Sequence, residues 1–477
     1  MCRWAGSIRG SGRTYDEGRA SPRLLAEREV TLELLGNIYG ENEYDTQPPF
    51  GTCEMQHCRE SPLVPNVDVI SPLTEVRGRN WRRIEGVDMI RGLAIFFVLM
   101  NHVNIRLLLA NVPYTQGIPK QIVSSLVWNG QFGVQMFFAV SGFLITSASL
   151  RRWGTLSRIR ARAFYQMRFA RIGPLLLLLL VVLSGFHFAH VDGFVVSAKQ
   201  GGLARAWLAT LTFHVNLLEG RLGYLPGPWD ILWSLSVEEM FYLFFPIACL
   251  LLAGRKLLVP MLLVFVVLGP FARTIFTHGN DIWQEKSYLG GMDAIALGCM
   301  TALLCARVRF SRRVLQTAWA VGAALILFIL GFSRTAYRWG LGAVGVEETV
   351  LAIGTCLVMV AASQCDWRAP RAFRPLLALG RNSYEVYLTH MFVVLGLFGI
   401  FVKLGKPMTL VPVLFVLTIT LAAGLGGLVA RSFSEPMNRW LRRRWGDGAE
   451  KLGAAIDGDM ARTAPMSTTT TSGGITS

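Results

Sequence analysis

Arg91 and His102 stand eleven positions apart in the otherwise apolar run VDMIRGLAIFFVLMNH (87–102). At 100° per residue, eleven steps end about 20° past three full turns. A helix therefore presents both on one side, roughly 16 Å apart along its axis. A histidine titrates near neutrality and can take up and release protons; the plainer reading is a structural histidine bonded to a neighbouring helix. Asp88, one turn before Arg91, is placed to pair with it. A second group lies in WDILWSLSVEEMFYLFFP (229–246), where Ser234, Glu238 and Tyr242 recur at i, i+4 and i+8 and share a helical face. Glu239 points about 100° away from them. The competing reading of Glu238 is an interfacial acid in an aromatic belt. Asp293 follows Gly290 and Gly291, which permit close backbone approach. His390 shares a face with Ser383 and Tyr387, and both it and Asp293 also suit a buried polar network. Arg168 and Arg171 stand where a basic loop enters a Leu-rich run. Their guanidinium forks suit phosphate, and the plain alternative is topogenic charge.

These residues are embedded in runs too apolar for a soluble domain. The chain has 477 residues, 52% hydrophobic and 16% charged, where soluble domains carry roughly 25% charge. Gln121 to Leu150 contains no Asp, Glu, Lys or Arg, and that length more than spans a hydrocarbon core of about 30 Å. Ten spans are expected, at about 89–105, 130–149, 172–190, 233–253, 257–272, 288–306, 314–333, 349–365, 384–402 and 408–430. An ionisable side chain at mid-membrane costs about 2.5–3.5 kcal/mol, which makes each acid, arginine or histidine within them a functional candidate.

Charge sets the orientation. With the N-terminus inside, the acid-free strip 150–171, which holds seven arginines, is cytoplasmic. The apolar piece 206–218 is only 13 residues long. If it does not cross, the strips at Arg255/Lys256, Arg307 to Arg313 and Arg368 to Arg381 also fall inside, and so does the tail with Arg439 to Arg444. If it crosses, the later strips land outside, against the positive-inside rule. The expectation is therefore an all-α integral membrane protein of about ten transmembrane helices, with 206–218 re-entrant or interfacial and both termini cytoplasmic.

Residues 1–80 are polar, carry four prolines between 48 and 65, and lack the apolar core of a signal peptide. They read as a disordered extension, or as sequence upstream of the true start. The Gly-, Thr- and Ser-rich tail 446–477 also reads as disordered. The membrane domain is then 81–445. The net charge of +16 sits in short strips between apolar runs, which argues for topology and against a nucleic-acid partner. Of eight cysteines, Cys249, Cys299, Cys305 and Cys356 lie in apolar runs as small hydrophobes. Cys53 and Cys58 lack a second ligand pair, so no metal site is expected.

The motifs together resemble the third family of membrane acyltransferases, whose members O-acylate cell-surface glycans. They occur in order: VDMIRGLAIFFVLMNH (87–102), GVQMFFAVSGFLIT (133–146), RFAR (168–171), WSLSVEEMFYLFFP (233–246), GGMDAIALG (290–298), LGRNSYEVYLTH (379–390) and SEPMNRW (434–440). Any one is weak; the ordered series over about 80–445 is specific. Met240 departs from the pattern, standing where Gln is commoner after the acidic pair.

The resemblance implies a multi-pass enzyme of the plasma (inner) membrane. Its co-substrate would be acyl-CoA, often acetyl-CoA, held from the cytoplasmic side with no permanently bound cofactor. Its acceptor would be a hydroxyl of an extracytoplasmic glycan or glycolipid, such as lipopolysaccharide, exopolysaccharide or peptidoglycan. Carried onto this chain, Arg168 and Arg171 meet the CoA phosphates and Arg91 supports the donor site. His102 is general base or transient acyl carrier. Glu238 orients His102 or binds the sugar. Ser234, Tyr242, Asp293, Tyr387 and His390 remain as acceptor contacts or network members. A rival reading is a proton-coupled transporter, which buried His102, Glu238, Asp293 and His390 would suit; no inverted repeat or paired broken helices support it.

Overall fold

The computed structural model describes residues 84–445 apart from His278 and Asp366. The readings of 1–80 and 446–477 lie outside the described residues. Contacts gather 84–108 and 112–445 into one unit, with the short stretch Leu109–Asn111 outside it. Every long element is a helix, as a bilayer requires: with no water to satisfy N–H and C=O groups, each segment must bond its own backbone.

Helix α1, Glu85–Leu109, opens with Glu85 and Asp88 and closes with Arg106, charges that oppose its macrodipole. A short α2, Lys120–Val127, leads into α3, Gly130–Trp153. Helix α4, Ala161–Phe188, begins at the arginine strip. Two short helices follow, α5 (Gly202–Leu211) and α6 (Val215–Leu222). The turn Gly227–Asp230 leads into α7, Leu232–Ala248, which ends in a π-helical turn at Cys249–Ala253. The rest comprises α8 (Leu258–Arg273), α9 (Asp281–Lys286), α10 (Tyr288–Arg307), α11 (Arg312–Gly331), α12 (Glu347–Gln364), α13 (Arg374–Arg381), α14 (Ser383–Lys403) and α15 (Val411–Val429).

Among the described residues, eight helical stretches are long and apolar enough to cross a membrane. The other two expected spans are helices of a different character. α8 has 16 residues, about 24 Å at 1.5 Å each and short of the roughly 30 Å core. α12 has 18 residues and carries Glu347 and Glu348 in its first turn. The expected interfacial piece 206–218 is divided between α5 and α6, which are separated by Thr212–His214 with Phe213 at φ 57°. At ten and eight residues, neither reaches across the core.

α3 and α10 form the tightest helix pair. A Cβ on Gly142 would strike the carbonyl of Ile295, and one on Gly298 would strike that of Ala139. Small residues here let the two backbones touch, the usual means of packing helices in lipid. Apolar side chains such as Val181, Leu251, Val267, Leu327 and Leu428 are exposed on the outer surface. A face of that kind is unfavourable in water and natural against acyl chains.

Candidate functional site

α1, α3, α4, α7 and α14 enclose a cleft of about 230 Å³. Arg91 of α1, Arg168 and Arg171 of α4, Ser234, Glu238 and Tyr242 of α7, and Tyr387 of α14 all line it. The helical period explains the α7 set, because residues four apart stack on one face. Each arginine has a defined seat. Arg91 is 3.6 Å from Asp88, as their one-turn spacing predicts. The Arg168 guanidinium lies 3.7 Å over the ring of Tyr242, a cation–π geometry. Arg171 Nη1 donates to Glu385 Oε1 at 3.1 Å and lies 5.4 Å from the Tyr384 ring centroid. Glu238 accepts a hydrogen bond from Ser141 Oγ. Tyr387 Oη donates to the carbonyl of Ile231 at 2.9 Å, which leaves its oxygen to accept from Ser234 Oγ at 2.7 Å. That bridge joins α7 to α14.

His102 and His390 are not among the residues lining the cleft; they sit together beside Tyr387, whose ring is 5.8 Å from that of His390. Their own rings are 4.9 Å apart at 77°. His102 Nδ1 is 2.8 Å from the Val98 carbonyl, and His390 Nδ1 is 2.6 Å from that of Tyr387. A carbonyl only accepts, so both rings carry hydrogen on Nδ1, and in a neutral ring Nε2 is then the lone-pair acceptor. His390 is wholly buried, and among the described residues its Nε2 has no hydrogen-bond partner. The sequence placed Glu238 within possible reach of His102. The structure brings His390 against His102 instead, because α14 packs at that level. Glu238 is engaged by Ser141 and faces the charges of Arg168 and Arg91.

Asp293 lies apart from the cleft, in a buried network. Its Oδ2 is 2.7 Å from Arg273 Nη2 and accepts from Thr349 Oγ1 at 2.6 Å. Arg273 Nη1 reaches Glu348 at 3.5 Å, and Gln135 donates to the same carboxylate. The network joins α3, α8, α10 and α12.

Sequence reading missed a second charged cluster. Lys286 is buried, with Nζ 2.9 Å from Glu219 Oε2, bonded to Asp230 and 4.4 Å above the Tyr224 ring centroid. Burial and the nearby Asp230 carboxylate push the Glu219 carboxyl above its usual range, against the pull of Lys286. His102 feels the charges of Asp230 and Lys286, which places this cluster on the histidine side of the bundle. Ser141 and Glu385 were also missed. Nothing in the local pattern singles out one serine in α3, whereas Glu385 was visible as an acid within an apolar run.

The fold and site define a multi-pass membrane protein with an arginine-lined cleft and, beside Tyr387 in its wall, a pair of histidines. A family profile described as an acyltransferase domain matches residues 84–427, and the chain belongs to that family. It is similar to the peptidoglycan O-acetyltransferase OatA of Listeria monocytogenes, 25% identical over 332 residues, covering 64% of this chain and 49% of the relative. It is also similar to the O-acetyltransferase OatA of Staphylococcus aureus, 22% identical over 380 residues, covering 75% of this chain and 58% of the relative. The chain thus spans about half the length of these curated relatives. No solved structure matches it.

Proposed function

We propose that this protein is a membrane O-acetyltransferase. In this reading it moves an acetyl or other acyl group from cytoplasmic acyl-CoA to a hydroxyl of an extracytoplasmic glycan or glycolipid. One observation carries it: α1 presents Arg91 to the cleft and His102 to the histidine pair, about 16 Å further along the same face. A phosphate-bearing donor bound at Arg91, Arg168 and Arg171 would extend its thioester along the cleft towards His102. The Tyr387–Ser234 bridge stands on that path. With Nδ1 committed to Val98, His102 offers Nε2 in either of two roles. As base it takes the acceptor hydroxyl's proton while the oxygen attacks the thioester carbonyl. The C–S bond then breaks, and the CoA thiolate leaves and takes up a proton. As acyl carrier it attacks the carbonyl itself, releases the thiolate, and passes the acyl group on to the hydroxyl.

The arginine strips support a plasma-membrane protein with both termini cytoplasmic. The Listeria relative is named for peptidoglycan, which makes a peptidoglycan-type glycan the first acceptor to try. The test is transfer of radiolabelled acetyl from acetyl-CoA to muropeptides or surface glycan by the purified, reconstituted full chain. Label appearing in glycan with matched CoA release is the expected result. The absence of both CoA release and labelled glycan, with every envelope fraction tried as acceptor, would overturn the reading.

A further inference from the structure

Lys286 is held by two acids of unequal kind. Glu219 is wholly buried and both its oxygens are engaged: Oε2 lies 2.9 Å from Lys286 Nζ, and Oε1 accepts from the Leu225 amide at 3.0 Å. Asp230 bonds the same ammonium, yet its side chain is 23% exposed. Among the described residues neither acid has a second cation within ion-pair distance. The cluster therefore holds one carboxyl more than its cation needs. Fastening explains Glu219. A surplus carboxyl on the partly open Asp230 is costly beside lipid, which makes it a functional candidate.

Position gives Asp230 a task, because the turn Gly227–Asp230 runs past the histidine pair. A Cβ on Gly227 would come 2.5 Å from Nη2 of Arg106, one turn beyond His102 on α1, and 2.6 Å from Cε of Met391, the neighbour of His390. At the other end, the carbonyl of Ile231 accepts from Tyr387 Oη at 2.9 Å, and the Tyr387 ring is 5.8 Å from that of His390. Asp230 thus stands within one helical turn of both contacts. Tyr224 shares its cation: Lys286 Nζ is 4.4 Å from the ring centroid. The ring is 49% exposed, while the chain around it is fixed by the Leu225–Glu219 bond and by Gln200 Nε2, which donates to the Tyr224 carbonyl at 2.6 Å. A held aromatic face suits the C–H side of a pyranose ring, and a carboxylate accepts from its hydroxyls. Lys286 beside the ring disfavours a cationic headgroup, and the surplus carboxyl disfavours an anion. We propose that Tyr224 and Asp230 form the recognition subsite for an uncharged sugar unit of the acceptor, Tyr224 carrying its C–H face and Asp230 accepting from a hydroxyl near the one that is acylated. This subsite rests on the glycan-acceptor reading above.

The experiment uses the full chain in nanodiscs, acetyl-CoA as donor and two tetrasaccharides as acceptors: uncharged chitotetraose, and tetragalacturonate with a carboxylate on every ring. Initial rates give kcat and KM, and equilibrium binding gives the acetyl-CoA Kd. The unaltered protein should use chitotetraose with the higher kcat/KM, by at least about tenfold. Asp230→Asn keeps the shape of the side chain without its charge. It should raise KM for chitotetraose about tenfold, the size of one charge-assisted hydrogen bond, with the acetyl-CoA Kd within about twofold. Tyr224→Ala should raise KM to a similar degree, and Tyr224→Phe should restore it, because stacking needs only the ring face. The half-exposed Tyr224 keeps the test decisive if Asp230→Asn does not fold. The subsite is overturned if tetragalacturonate is used as well as chitotetraose, or if acetyl-CoA binds and neither tetrasaccharide is acylated. It is also overturned if Asp230→Asn lowers the thermal midpoint and the donor affinity while KM stays put, which would make Asp230 a fastener alone. An unmoved KM in Tyr224→Ala would make that ring an interfacial anchor and overturn the subsite too. Failure of the unaltered protein to bind acetyl-CoA would instead overturn the acyl-transfer reading itself.

Discussion

Two histidines with their Nδ1 hydrogens tied to their own helices have only Nε2 left for chemistry, and they differ in access. His390 is fully buried, while His102 is part-exposed and shares a helix with Arg91. His102 is therefore the one to alter first. His102→Gln keeps a hydrogen-bonding side chain but cannot accept a proton near neutral pH. It should lower acetyl transfer by roughly 10²–10⁴-fold, with expression and CoA affinity near those of the unaltered protein, measured by transfer assay and equilibrium binding. Near-normal transfer by this variant would make His102 structural. The donor end gives a separate prediction. Arg168→Ala/Arg171→Ala should weaken acetyl-CoA binding while the protein still inserts, and the Lys counterparts should recover only part, because an ammonium lacks the planar fork. Unchanged donor affinity in the purified Ala variant would sink that assignment. Arg168 also stacks on Tyr242, so Tyr242→Phe serves as a control that keeps the aromatic face.

At the scale of elements, the charges outside the cleft act as fasteners. Lys286 ends α9 and bonds Glu219 of α6 and Asp230 of the turn before α7. The Asn216 side chain donates to the Lys286 carbonyl at 3.0 Å. α6 is thereby fastened to the bundle through one buried cation. Removing one partner of a buried pair leaves an uncompensated charge at a cost of roughly 3–5 kcal/mol. Lys286→Met should accordingly lower the thermal midpoint of the purified protein clearly, and adding Glu219→Gln should recover part of the loss. An unshifted midpoint in the single variant would mean that the cluster does not hold α6. None of this was legible in the sequence. Lys286 and Glu219 are separated by 67 positions, and pairing across that distance leaves no periodic trace. Ser234, Glu238 and Tyr242 were legible because their common face follows from the pitch of a single helix.

For the whole molecule, the Arg strips predict that Gly220 lies outside and Ser311 inside. In a cysteine-free background, a cysteine replacing Gly220 should react with an impermeant maleimide in intact cells. One replacing Ser311 should react only after the cells are opened. Labelling of Ser311 from outside would make 206–218 a crossing segment and invert everything after it. The sequence by itself determined that this is a helical membrane protein, where its long helices run and which arginines and histidines are out of place in lipid. Those properties depend on run length and helical pitch, which are local. Only the tertiary structure decided that His390 rather than Glu238 meets His102, that Asp293 is spent on Arg273, and that the stretch after α15 brings Trp445 back to the RFAR motif. Each depends on which helices are neighbours and how they are rotated. That is fixed by side chains far apart in the chain packing against one another and pairing their charges where water cannot do so.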